Sequence, residues 1–214
     1  MTRLRRYKYE DVREDLQHLR HRAYLAANKI DSRQRAEDFF DDWDERSTVI
    51  VATEGSRLVG SVRVIPGVTL TEIQAVHGFN GKVPIPIERR LALGEASRLC
   101  VDPGARGRGL FWELAAEMVL LAQDMEIQNL FGAATDNLWP NYSECGFTDL
   151  GVTYAFAGLN NSIHRLMLMS VPDVIAGCGT SSRFNQILAL RSRIFPGERE
   201  PIKAGDYRNY EIIC

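Results

Sequence analysis

Three groups of residues in this sequence have the types and spacing to do chemistry. The first is Val101-Asp102-Pro103-Gly104-Ala105-Arg106-Gly107-Arg108-Gly109, a glycine-rich turn between a strand pattern and a helix pattern. Such a turn leaves backbone N–H groups unpaired at the positive end of a helix dipole, where a phosphate or pyrophosphate can sit. Its glycines let the backbone approach an anion, and Arg106 and Arg108 add charge-assisted donors. A tight connection without a ligand explains the same glycines equally well.

The second group is Asp38, Asp41 and Asp44, which can bind a cationic amine and, at one carboxylate, take a proton from it directly or through water. On residue types alone, a solvated face or a helix cap accounts better for such a cluster. The third is Arg63, set in an apolar strand, with Glu95. A buried guanidinium needs a counter-ion, and Glu95 is the natural one, in a structural ion pair or in a site. In Glu95-Ala96-Ser97-Arg98, strand alternation places Glu95 and Ser97 on one face and Arg98 on the other. Roles divide accordingly: Glu95 and Arg63 toward one ligand, Arg98 toward a phosphate. His18, His21, His77 and His164 have no spacing that suggests a triad, and Trp43, Trp112 and Trp139 read as core or pocket walls.

The elements that must position these residues are legible from periodicity. An amphipathic helix runs from about Asp11 to Asn28, with Val12, Leu16, Leu19, Ala23 and Ala27 at helical spacing. Thr48–Ala52 and Leu58–Ile65 flank Glu54-Gly55-Ser56 as a β-hairpin, closed by Pro66. After a long connection of glycine, proline and basic residues comes the strand Glu95–Val101, then the turn and a helix with Leu110, Leu114, Met118, Leu121, Ala122 and Met125 on one face. A strand at Leu130–Ala134, a helix entered near Asn137 with Pro140 in its first turn and Gly146 at its close, and a strand at Ser162–Val171 follow. Ser182 is placed to cap a last helix through Phe184, Ile187, Leu188 and Ile194. This order predicts an α/β fold with a mixed sheet.

Composition sets bounds. The 214 residues, 45% apolar and 25% charged, suit one domain over 1–214, with its core in about 9–171 and a tail, 172–214, whose role is not legible. A net charge of −2 gives no global reason to expect nucleic acid or an anionic membrane as partner, so any anion site must be local. Cys100, Cys145, Cys178 and Cys214 have neither C-x-x-C spacing nor a nearby histidine, which argues against a metal site or a disulfide framework and for reduced, cytoplasmic thiols. The charged start MTRLRRYKYEDVREDL lacks an apolar signal region, and no apolar run approaches the ~18 residues of a membrane span.

The turn motif, followed some thirty residues on by Asn137-x-x-x-x-Tyr142-x-x-x-Gly146-Phe147, resembles the acyl-CoA-binding core of the GCN5-related N-acetyltransferase superfamily. Phe111 stands where that superfamily usually has glycine or alanine. Further segments resemble one branch, the acyl-homoserine-lactone (autoinducer) synthases and the related N-acyl amino acid synthases. They are Arg20-x-x-x-Tyr24, Asp38-Phe39-Phe40-Asp41 with Asp44, Gly60 to Pro66 as G-x-x-R-x-x-P, and Glu95 to Arg98 as E-x-S-R. The likeness covers roughly residues 15–171. The branch's tryptophan after the first helix falls near Ile30, and its glutamate before the first aspartate near Ala36.

The resemblance implies a three-layer αβα fold with a central mixed, splayed sheet, and an N-acyltransferase that binds no cofactor. Its donor would be an acyl-carrier protein or acyl-CoA thioester. Its acceptor would be S-adenosylmethionine, giving an acyl-homoserine lactone signal; the alternative acceptor is an amino acid, giving a long-chain N-acyl amino acid. A catalytically silent acyl-thioester or carrier-protein binding module is the alternative outside catalysis. Under this reading Glu95, Asp41 and Tyr142 are catalytic, with Tyr142 hydrogen-bonding the leaving sulfur or serving only as a core aromatic. Arg20, Tyr24, Asp38, Asp44 and Arg63 bind the acceptor. Arg98, Leu99, Cys100, Val101, Arg106, Gly107, Arg108 and Gly109 hold the pantetheine arm and its phosphate. Arg89, Arg90, Arg106 and Arg108 would form the basic surface an acidic carrier protein needs, and Met167 and Met169 would line an acyl tunnel or pack in the core.

Overall fold

The computed structural model describes residues 2–78 and 92–193. Its strands are β1 (Thr2–Lys8), β2 (Thr48–Glu54), β3 (Arg57–Pro66), β4 (Leu93–Val101), β5 (Asn129–Ala134), β6 (Thr148–Phe156) and β7 (Ser162–Ser170). The helices are α1 (Tyr9–Leu25), α2 (Leu70–His77), α3 (Leu110–Asp124), α4 (Trp139–Glu144), α5 (Val171–Ile175) and α6 (Ser182–Ser192). One sheet runs in the order β1-β2-β3-β4-β5-β7-β6, antiparallel throughout except for β4 beside β5. The mixed sheet of an α/β fold is thus present.

Strand alternation sorts the core into layers. On β2, Val49 and Val51 face α1, packing with Val12, Leu16 and Leu19, while Ile50 and Ala52 face α3, packing with Leu114, Ala115 and Met118. Helices therefore cover both faces of the sheet, as the three-layer expectation required. β4 is nine residues long but pairs with β5 only through Leu93–Asn129, Gly94–Leu130 and Glu95–Phe131. Beyond Glu95 the two strands part, and this splay opens the middle of the sheet.

Several elements were not legible in the sequence. β1 sits at the sheet edge, where its buried Arg6 is held by Glu117 at 2.9 Å and Asp124 at 2.6 Å, partners more than a hundred residues away. β6 is mostly exposed, and its alternating Leu150, Val152, Tyr154 and Phe156, which face a core cluster, went unread in the sequence. α2 lies inside the long connection and is capped by Thr69, which accepts from the Glu72 N–H. The last helix is capped by Ser181 rather than Ser182, its side chain accepting the Phe184 N–H at 3.2 Å. That helix packs on α3, with Phe184 and Leu188 buried in the same core cluster as Leu114 and Met118, so the packed core extends beyond residue 171.

Candidate active site

Two cavities of different character open on either side of the splay. The first, about 280 Å³, is lined by Asp41, Trp43, Arg63, Glu95, Ser97 and Arg98, with Tyr154, Phe156 and His164 as its aromatic wall. Arg63 and Glu95 come from adjacent strands and are 1% and 0% exposed. Arg63 is ion-paired with Asp41, lies 3.1 Å from Asp44 Oδ1, and donates from Nε to Ser97 Oγ at 2.9 Å. Its distance to Glu95 is 3.9 Å. The expected Arg63–Glu95 pair therefore exists, but the tight counter-ions are the two aspartates, which reach the strand from the segment before β2.

Asp44 is fully buried and accepts both terminal nitrogens of Arg20, at 2.9 and 2.8 Å, while Arg20 also donates to the Phe39 carbonyl. Arg20 and Asp44 thus form the platform under the cavity and do not line it. Asp38 does not join the site. It is exposed, and its carboxylate accepts the Arg35 N–H at 2.8 Å, capping a short 3-10 turn at Ala36–Phe39. The capping role was the bland alternative for this cluster, and at Asp38 it is the one realised.

Arg98 departs from strand alternation. Its φ of +57° and the register shift between Ser61 and Arg63 mark a β-bulge, which turns its guanidinium to the same cavity as Glu95. There it donates to Asp41 Oδ2 at 2.9 Å and bonds the Tyr24 hydroxyl. The assignment of Arg98 to a donor phosphate is corrected accordingly. Burial would raise the Asp41 pKa, but Arg63 and Arg98 outweigh it and hold it down at about 2. A carboxylate so placed is a weak base at neutral pH.

The second cavity, about 610 Å³, follows the glycine-arginine turn. Leu99, Cys100, Val101, Arg106, Gly107, Gly109, Phe111, Asn137, Asn141, Tyr142 and Arg183 line it. Gly107 and Gly109 are left-handed, with φ of +78° and +83°, and a Cβ at either would meet only open space. Arg106 donates to the Ala23 carbonyl at 3.0 Å beside the cavity. Arg108, by contrast, pairs with Glu54 at 2.8 Å and folds back onto the Gly104 carbonyl, outside it. Arg183, from the helix the sequence left without a role, stacks on Trp112 at 4.7 Å at the cavity wall. Among the described residues no aspartate or glutamate lines this space, so its field favours an anion.

Phe111 packs edge-on against Tyr142, ring centroids 5.2 Å apart, and so lines the cavity wall instead of filling the turn. Tyr142 is 8% exposed, and burial raises its pKa well above the ordinary value. Met167 and Met169 both pack in the core, and Met167 also lines a third, small cavity within the splay. Cys100 and Cys145 are buried free thiols and Cys178 is exposed. Arg89, Arg90 and Cys214 lie outside the described residues, as does the end of the last predicted helix at Ile194. No helix among the described residues is long and apolar enough to cross a membrane.

A splayed mixed sheet with a cavity at the glycine-arginine turn and a polar cavity beyond the splay is a GCN5-related acyltransferase fold. The chain belongs to the N-acyl amino acid synthase FeeM family, whose sequence profile matches residues 15–169. It is therefore an acyltransferase. Among solved structures it resembles FeeM, an N-acyl amino acid synthase from uncultured soil microbes, at 16% identity and a TM-score of 0.63, covering 83% of this chain and 95% of that one. It also resembles the CoA-dependent acyl-homoserine lactone synthase BjaI, solved with S-adenosylmethionine and isopentyl-CoA, at 20% identity and a TM-score of 0.59, covering 95% and 94%. A third is the CoA-dependent acyl-homoserine lactone synthase MesI, at 18% identity and 0.56, covering 92% and 98%. No curated protein sequence matches.

Proposed function

We propose that this enzyme transfers an acyl group from a pantetheine thioester, carried by CoA or an acyl-carrier protein, to the α-amine of an amino acid. One observation carries the reading. The small cavity in the splay shares Tyr24, Leu99 and Tyr142 with the anion-favouring cavity, and Ala96, Ser97 and Arg98 with the polar one. Donor and acceptor can therefore meet where β4 leaves β5.

The chemistry follows from the linings. Arg63 and Arg98 beside Asp41 and Glu95 suit a zwitterion, its carboxylate toward Arg98 and its ammonium toward Glu95. With Asp41 held in ion pairs, the proton of the ammonium goes toward Glu95, through water, and Asp41 serves to fix the two guanidiniums. Backbone N–H groups of β4 beyond the splay can bind the pantetheine arm and the thioester carbonyl, and the Tyr142 hydroxyl donates to the departing sulfur. Arg106 and Arg183 face the donor phosphate.

S-adenosylmethionine is the second reading, supported by the likeness to BjaI, which was solved with S-adenosylmethionine and isopentyl-CoA. It carries the same amino-acid head, and its acylated product would close to a homoserine lactone with loss of methylthioadenosine. Incubation of the protein with acyl-CoA and acyl-carrier-protein thioesters, amino acids and S-adenosylmethionine, with products identified by mass, separates the two. An acylated amino acid without methylthioadenosine is expected. Methylthioadenosine with a lactone would establish the second reading, and no product with any amine would sink both.

A further inference from the structure

We propose that Lys29 is a further catalytic residue of acyl transfer, its ammonium delivering the proton taken up by the departing sulfur. The inference rests on the acyl-transfer reading above. Lys29 follows Asn28, whose left-handed φ of +54° reverses the chain after α1, and its N–H donates to the Tyr24 carbonyl at 3.0 Å. This reversal turns the lysine back over the site. Half-buried, it lines both the donor cavity and the small cavity in the splay. Among the described residues, those common to the two cavities are Tyr24, Lys29, Leu99, Leu138 and Tyr142, so within them Lys29 is the one cation where the cavities join.

No aspartate or glutamate among the described residues lines either cavity, and within those residues the Lys29 ammonium has neither an ion pair nor a hydrogen bond. Every other deeply placed cation of the site is matched: Arg20 by Asp44, Arg63 by Asp41 and Asp44, Arg98 by Asp41. Desolvating an ammonium without a counter-ion is costly, and a purely structural lysine has no reason to bear that cost. A negative charge that arises only during the reaction would offset it. The junction is also where the thioester sulfur must lie, since Tyr142 and the freed backbone of β4 meet there.

Acidity points the same way. Burial lowers the pKa of Lys29, which makes its ammonium a better acid than an exposed one. Burial raises that of Tyr142, which makes its hydroxyl a better hydrogen-bond anchor than proton donor. In the step itself the amine nitrogen forms the C–N bond and the C–S bond breaks with its electron pair on sulfur. One proton passes from Lys29 Nζ to that sulfur. The proton lost by the new amide nitrogen goes to water, from which Lys29 is recharged.

Lys29→Met removes charge and proton, and Lys29→Arg keeps the charge on a group too weakly acidic to give up a proton. Each is assayed with the acyl-CoA and amino acid that the wild type turns over fastest, varying the donor at saturating acceptor, alongside thermal melting. Both variants are expected to lose about 100-fold in kcat, with donor KM within about twofold and melting unchanged. Wild-type kcat in Lys29→Arg, or a change in donor KM alone in Lys29→Met, would overturn the proposal and make Lys29 a phosphate anchor. A wild type without turnover on any amine removes the acyl-transfer reading and the proposal with it, so the two failures are distinct.

Discussion

At Arg63 the sequence posed a physical question that it could only half answer. A guanidinium in an apolar strand demands an anion, but Asp41 and Asp44 supply it from a segment some twenty residues away, where composition favoured a solvated cap. At Asp38 the cap is the whole role, whereas Asp44, which also accepts the Asp41 N–H at 3.3 Å, is the buried anion on which Arg20 and Arg63 converge. Two predictions belong to these side chains. Arg63→Ala leaves two carboxylates under-compensated around a buried hole, and should cost about 3–5 kcal/mol in denaturant unfolding as well as activity. Asp41→Asn should flatten the acid limb of stability. The Asp41 pKa falls on folding from 3.8 to about 2, so its contribution is present above 3.8 and lost as pH drops toward 2. For this partly buried group the contribution is about 2 kcal/mol. An unchanged acid midpoint in the variant would show that the ion pairs do not hold the fold.

The helices and central strands were readable because their apolar periods are strong, whereas the features that make the site are breaks in period. The bulge at Arg98 reverses the side that alternation assigns, and nothing in Glu-Ala-Ser-Arg marks a left-handed residue. The splay is likewise a matter of where pairing stops, which depends on β5, and not on the sequence of β4. The turn was legible, since its glycines at 107 and 109 do adopt the left-handed conformation. Gly107→Val should therefore raise donor KM about tenfold or more. A side chain there costs roughly 1–2 kcal/mol of backbone strain and fills space beside the cavity. Melting temperature should fall only modestly, and a variant with wild-type donor KM would show that the anion does not sit against this backbone.

Across the whole molecule, the last helix ties distant parts together. Arg191 on α6 and Arg6 on β1 share the buried Glu117 of α3, at 3.1 and 2.9 Å, while Arg183 of α6 reaches the donor cavity. Sequence reading left this region without a role because its apolar stripe is short and its partners are far away. Phe184→Ala, at a site 0% exposed, should cost about 3–5 kcal/mol and lower the melting temperature by roughly 10 °C. An unshifted melt would mean that α6 is not part of the folded core. On the proposed reading, donor and acceptor occupy separate cavities that join at the splay. Steady-state kinetics of Gly107→Val and Arg98→Gln, with thioester and amino acid varied independently, tests it most directly. Gly107→Val is expected to raise only the donor KM and Arg98→Gln only the acceptor KM, by about tenfold. Both variants moving the same KM would contradict it.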